Sequence, residues 1–307
     1  MLTAPATAER LPPPVADPAP LVAERRGVSW WLSAGISIAI LIAVLWQLRS
    51  VSFTEMRAML PTNPWFWVAF GAAYFSAPLI DFAIFKRLWD IPAAGFGALL
   101  KKLIGNELLM GYIGEVYFYT WARRRTGMVS APFGAVKDVA ILSALMGNAV
   151  TLVMLALAYP LLGSLHLGIE SRTLMASVAV VLVTSSLVLL FRRQLFSLPR
   201  PELLFVSGMH LLRIALTTGC NAWAWHLVLP QVGIQWWLLL SAMRLLLSRL
   251  PLLPNKDIVF AGLAVFLVGH DADIAALMTM MASLILATHL ALGLMLAAGD
   301  ATKIKAA

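Results

Sequence analysis

Six stretches of this chain stay apolar for the length of a bilayer crossing: 28–48, 64–85, about 132–162, 173–191, 203–229 and 274–298. At 1.5 Å of rise per residue, about 20 residues cover the hydrocarbon core, and each stretch reaches or nears that length. Two further apolar regions are interrupted. Region 96–121 carries Lys101, Lys102, Asn106, Glu107 and Glu115, and region 236–268 carries Arg244, Arg249, Pro251, Pro254, Lys256 and Asp257. The pattern predicts an all-α, polytopic membrane helix bundle of about six full spans plus two broken or re-entrant helical hairpins. Such a pair of interrupted segments, one in each half, is also what an inverted repeat would produce.

Composition agrees with the pattern. The 307 residues are 61% hydrophobic and only 12% charged, about half the charge a soluble domain carries. Residues 1–27 are rich in Pro and Ala and lack hydrophobic periodicity, so they are expected to form a disordered cytoplasmic tail. Residues 28–298 form the transmembrane domain, and 299–307 a second cytoplasmic tail. The single cysteine, Cys220, excludes a disulfide framework and a thiolate metal cluster. The formal charge of +8 is spread between apolar segments instead of forming one basic block. It points to an anionic membrane surface as a partner and not to nucleic acid. No cofactor or metal motif is expected; there is no Walker A loop, nucleophile elbow, zincin helix or dinucleotide fingerprint. The eleven tryptophans gather near predicted span ends, where indole rings anchor helices at the interface.

Orientation follows from the basic residues. With both termini inside, Lys86, Arg87, Lys101, Lys102, Arg123, Arg124, Arg125, Arg192 and Arg193 fall on the cytoplasmic side, and only Arg49, Arg57 and Arg172 fall outside. Each broken region must then return to the side it entered from. The prolines of Pro251-Leu252-Leu253-Pro254 suit such a reversal, because each removes an N–H donor.

Charged groups inside a bilayer cost on the order of 2.5–3.5 kcal/mol each, so they face protein or an aqueous cavity. Five bases, Lys137, Arg213, Arg244, Arg249 and Lys256, stand at predicted membrane depth against five acids, Asp81, Glu107, Glu115, Asp138 and Asp257. Structural ion pairing is one reading; a charged cavity at the broken segments is the other. Glu107 and Glu115, eight residues apart, share a face of a continuous helix. A break at Gly111 or Gly114 would instead turn both carboxylates toward a cavity. His210, Arg213, Thr217 and Asn221 recur at spacings of three and four and share another face, suited either to helix packing or to an Arg213 that meets phosphate or carboxylate.

At these same segments the chain resembles the transmembrane domain of the lysylphosphatidylglycerol synthase and flippase-like membrane family. The resemblance is carried by Gly105-Asn106, Gly114-Glu115, Arg123-Arg124-Arg125-Thr126-Gly127, Val136-Lys137-Asp138 and Leu250-Pro251-Leu252-Leu253-Pro254, and with the span pattern covers about 28–298. The family commonly has Pro-Gly where this chain has Met110-Gly111-Tyr112-Ile113, and a glycine-rich stretch where it has Asn255-Lys256-Asp257. The resemblance implies a bacterial inner-membrane protein, N-in and C-in, that moves or handles lipids with charged or glycosylated head groups. The tails leave no room for the aminoacyl-transferase domain of some relatives, so synthase activity is not expected. The expected substrate-binding residues are Asn106, Glu107, Glu115, Lys137, Asp138, Arg213, Arg244, Arg249, Lys256 and Asp257, with Gly114, Pro251 and Pro254 shaping the hairpins. The lipid tail would stay in the bilayer. The competing expectations are a membrane-embedded transferase acting on a lipid carrier, with Glu115 or Asp257 as base, and a non-transporting subunit bound to an envelope-lipid biosynthesis partner.

Overall fold

The computed structural model describes residues 60–108, 113–125, 132–162, 171–249 and 271–305. Among the described residues the chain is all-helical, without a strand. In chain order the helices are α1 (Pro64–Trp89), α2 (Ala94–Leu108), α3 (Ile113–Arg125), α4 (Pro132–Leu162), α5 (Ser171–Leu190), α6 (Arg192–Leu195), α7 (Arg200–Val228), α8 (Ile234–Arg249) and α9 (Asp271–Lys305). Four of them contain stretches long and apolar enough to cross a membrane: Pro64–Trp89, Phe133–Met154, Arg200–Val228 and Met280–Gly299. The protein is an integral membrane protein.

Four of the six expected spans therefore appear as such. The stretch 28–48 lies outside the described residues, and 173–191 forms α5, whose described apolar run, Val178–Leu190, is shorter than a crossing. Of the two interrupted regions, 96–121 is two separate helices, α2 and α3. Their lengths, 15 and 13 residues, correspond to about 20 Å each, well short of the hydrocarbon thickness. The other region begins with α8; Pro251, Pro254, Lys256 and Asp257 lie outside the described residues.

Local chemistry sets the ends of α1. Asn63 accepts a hydrogen bond from the Trp65 amide at its start, with Pro64 in the first turn, where a missing N–H costs nothing. Asp90 closes it in the left-handed conformation, φ 50°, its N–H reaching the Lys86 carbonyl at 2.8 Å. Within α1, Pro78 withholds the donor that would otherwise bind the Tyr74 carbonyl.

Helices α1 and α7 form the antiparallel spine, paired through Ser76–Thr217 near the middle and Arg87–Glu202 at one end. Helix α4 runs parallel to α7 on the other side, matching Val139 with His210 and Ser143 with Arg213. Two apolar clusters result. One joins Phe66 and Phe70 of α1 to Ala222 and Trp225 of α7, Trp237 and Leu240 of α8, and Met280 and Met281 of α9. The other joins Ile84 and Phe85 to Leu99 of α2, Phe118 of α3, Val139 of α4 and Val206 of α7. The clusters occupy opposite ends of α1, so the polar residues between them form a layer across the middle of the bundle.

Candidate functional site

The layer is assembled where the hairpin α2–α3 meets α1. Gly105 and Gly114 lie at the crossing, and a methyl group placed on Gly114 would overlap the Lys102 carbonyl oxygen. In one continuous helix those residues would be about 18 Å apart. The close approach lets the Gly114 amide donate to Asn106 Oδ1 at 2.8 Å, while Asn106 Nδ2 donates to Glu115 Oε2 at 2.9 Å. Asn106 thus fixes Glu115 and clamps the start of α3. The sequence left two geometries open for Glu107 and Glu115, and they lie on different helices instead of along one helical face.

At the centre stands Lys102. Its Nζ donates to Asp81 Oδ2 at 2.8 Å and lies 3.4 Å from Glu115 Oε1, with the Lys102, Asp81 and Glu115 side chains only 12%, 8% and 21% exposed. Sequence assigned Lys102 to the cytoplasmic side; in the structure it is a buried cation paired with two acids. The signal was the pair Lys101-Lys102 inside an apolar run, since adjacent helical positions cannot both face the same way. Asp81 was recognisable as a charge at membrane depth, but its partner was not.

Two adjoining cavities lie here, and the first opens onto this network. The first, about 320 Å³, is lined by Asp81, Lys102, Asn106, Glu107, Glu115, Ser143, His210 and Arg213, among others. The second, about 390 Å³, is lined by Glu107, Arg213, Thr217, Thr218, Asn221, Ser241 and Arg244. Glu107 and Arg213 belong to both. Three members of the α7 stripe, Arg213, Thr217 and Asn221, face the second cavity, and His210 faces the first.

Polar satisfaction gives the first cavity a direction. His210 Nε2 lies 3.1 Å from the Val139 carbonyl, which can only accept, so Nε2 carries the proton and Nδ1 of the neutral ring is an acceptor. That Nδ1 and Asp81 Oδ1 are both buried and have no hydrogen-bond partner among the described residues. A buried acceptor left this way costs about 1–3 kcal/mol. The second cavity adds Arg244 to Arg213, which is held by Ser143 Oγ at 2.9 Å, so that two guanidinium groups stand beside hydroxyl and amide groups and Glu107.

The remaining expected residues lie elsewhere. Asp138 Oδ2 accepts from the Ser197 and Leu198 amides at 2.6 and 2.7 Å, and Lys137 donates to the Leu195 carbonyl. Both secure the turn before α7 and line neither of the two cavities. The Arg249 side chain, Lys256 and Asp257 lie outside the described residues. Another buried pair, unforeseen from sequence, is Tyr74 with His289, whose Oη and Nδ1 share a 2.7 Å hydrogen bond that ties α1 to α9. No group of His, Cys, Asp and Glu among the described residues could hold a metal ion.

These features define an all-helical integral membrane protein with a charged cavity layer inside its bundle. No protein-family model, curated protein or solved structure matches the chain.

Proposed function

We propose that the protein is a flippase-like transporter of polar lipids that holds the lipid head group in the two adjoining cavities. The observation that carries this reading is their chemistry: donors of Arg213 and Arg244 on one side, unmet acceptors of Asp81 and His210 on the other, and Glu107 between. An anionic phosphate or carboxylate suits the guanidinium side, since arginine binds either in bidentate fashion. An ammonium or hydroxyl suits the acceptor side. The physical task of such a layer is to replace the water that a head group sheds on entering the bilayer, where an isolated charge is costly.

On this reading the hairpin α2–α3 is re-entrant and the segment after α8 is its counterpart in the other half. The whole bundle then has about six full spans, an inverted-repeat plan and both termini inside a bacterial inner membrane. The chain would be a divergent member of the flippase-like family it resembles, and rocking of one half against the other would expose the layer alternately to each side. The test is mass spectrometry of lipids retained on the purified protein, comparing wild type with folded Arg244→Gln and Glu107→Gln variants. Selective enrichment of one polar lipid, lost in both variants, supports the reading. Only bulk membrane lipid in every sample refutes it.

A further inference from the structure

The first cavity has a neighbour on its α4 side. Ala140 and Ala144 line it, and the same two residues line a third cavity of about 300 Å³ between α4 and α5. Two alanines one turn apart on α4 therefore border both the polar layer and the α4–α5 groove, with small side chains at the boundary. Beyond them the groove is bounded by Ile141, Leu145 and Val188. Its few polar groups are engaged with one another or with backbone: Asn148 Nδ2 donates to Ser185 Oγ at 3.1 Å, and Thr184 Oγ1 donates to the Val180 carbonyl at 2.8 Å. What the groove offers a ligand is therefore hydrocarbon contact. The outer surface of α5 is apolar as well, with Val183, Leu187 and Leu190 exposed where they meet lipid.

We infer that the α4–α5 groove is the binding site for the acyl or prenyl chain of the same lipid whose head group occupies the charged cavities, a deepening that rests on the proposed function. A head group held beside Arg213 and Ser143 would direct its tail past Ala140 and Ala144, into the groove and out to the bilayer between α4 and α5. The tail then keeps apolar surroundings while the head group sits in the polar layer. Each component meets its own kind of solvent, and neither has to cross the other's.

The experiment uses the full chain in nanodiscs containing phosphatidylethanolamine with a diazirine on its acyl chain; illumination and peptide mass spectrometry locate the adducts. Wild type should concentrate adducts on 140–148 of α4 and 184–188 of α5. Ala144→Trp should reduce them at least fivefold, and Val188→Trp, which fills the groove from its other wall, should do the same if Ala144→Trp fails to fold. Arg244→Gln separates the two ideas. If it lowers groove adducts in parallel with loss of retained lipid, head and tail belong to one bound molecule. If groove adducts persist in Arg244→Gln and vanish only in the tryptophan variants, the groove takes annular lipid independently and the link to the cavity is wrong. Adducts spread evenly over all lipid-facing helices would overturn the groove itself, while leaving the head-group reading to its own lipid-retention test.

Discussion

Two glycines of the α2–α3 crossing should respond oppositely to the same substitution. A Cβ at Gly105 would meet the Gly114 Cα and amide nitrogen at 3.6 and 3.7 Å, ordinary van der Waals contact. A Cβ at Gly114 would overlap the Lys102 carbonyl oxygen and come within 2.7 Å of Asn106 Oδ1. The first substitution removes a flexible residue from a helix interior, a change worth up to about 1 kcal/mol in favour of the helix. The second meets a backbone atom that no rotamer change can move, so the helices must separate. Overpacking of this kind costs about 1–3 kcal/mol, and separation also weakens the hydrogen bond from the Gly114 amide to Asn106, about another 1 kcal/mol. Gly105→Ala is therefore expected to lie within about 1 kcal/mol of wild type, and Gly114→Ala to lose about 2–4 kcal/mol. Equilibrium unfolding in a fixed detergent or bicelle measures both. Equal stabilities would refute the close crossing, and with it the geometry that brings Glu115 to Lys102.

Lys102→Met leaves Asp81 and Glu115 buried without their cation, and breaking such a network should cost about 3–5 kcal/mol; adding Asp81→Asn should recover part of the loss in the same unfolding assay, and no recovery would contradict the pairing. Asp138→Asn keeps an acceptor for the Ser197 and Leu198 amides but surrenders the charge that strengthens those bonds, an expected loss of about 1–2 kcal/mol. Hydrogen exchange should then accelerate at Ser197 and Leu198, with α2 and α3 unchanged. Tyr74→Phe strands a buried His289 nitrogen at a cost of about 1–3 kcal/mol. A double-mutant cycle with His289→Phe should show positive coupling, and additive effects would mean that the pair does not interact.

The sequence made the helices legible because their signal is length and hydrophobicity, both local. The stretches 64–85 and 203–229 are α1 and α7 to within a few residues. Asp81 and Arg213 were legible as charges inside long apolar helices for the same reason: a polar residue deep in an apolar run needs a partner. Partnership itself was not. Lys102 with Asp81 joins residues on separate helices, and nothing local tells which of the neighbours Lys101 and Lys102 turns toward Asp81. Lys137 and Asp138 are a second case of contacts that no local signal shows. Their side chains serve backbone groups of a turn nearly sixty residues away, a demand visible only once the helix ends are in place.

On the proposed function, charge balance is what would let such a layer stand in a bilayer. The residues lining the first two cavities include three acids, Asp81, Glu107 and Glu115, and three bases, Lys102, Arg213 and Arg244, so the layer carries no formal net charge. Neutrality limits the cost of burying it, because each charge has an opposite one within the same protein. It also constrains what can enter. Between apolar clusters the effective dielectric is low, and an uncompensated charge brought into a neutral layer is penalised far more than in water. A head group carrying both an anionic and a donor-rich cationic part adds no net charge and can meet Arg213 and Arg244 with one end and Asp81 and His210 with the other. Retained lipid on wild-type protein should therefore favour such head groups over singly charged ones. Glu107→Gln, which leaves the layer with one excess positive charge, should shift that preference toward anionic lipids; a preference unmoved by this substitution would show that the charge of the layer does not select its ligand.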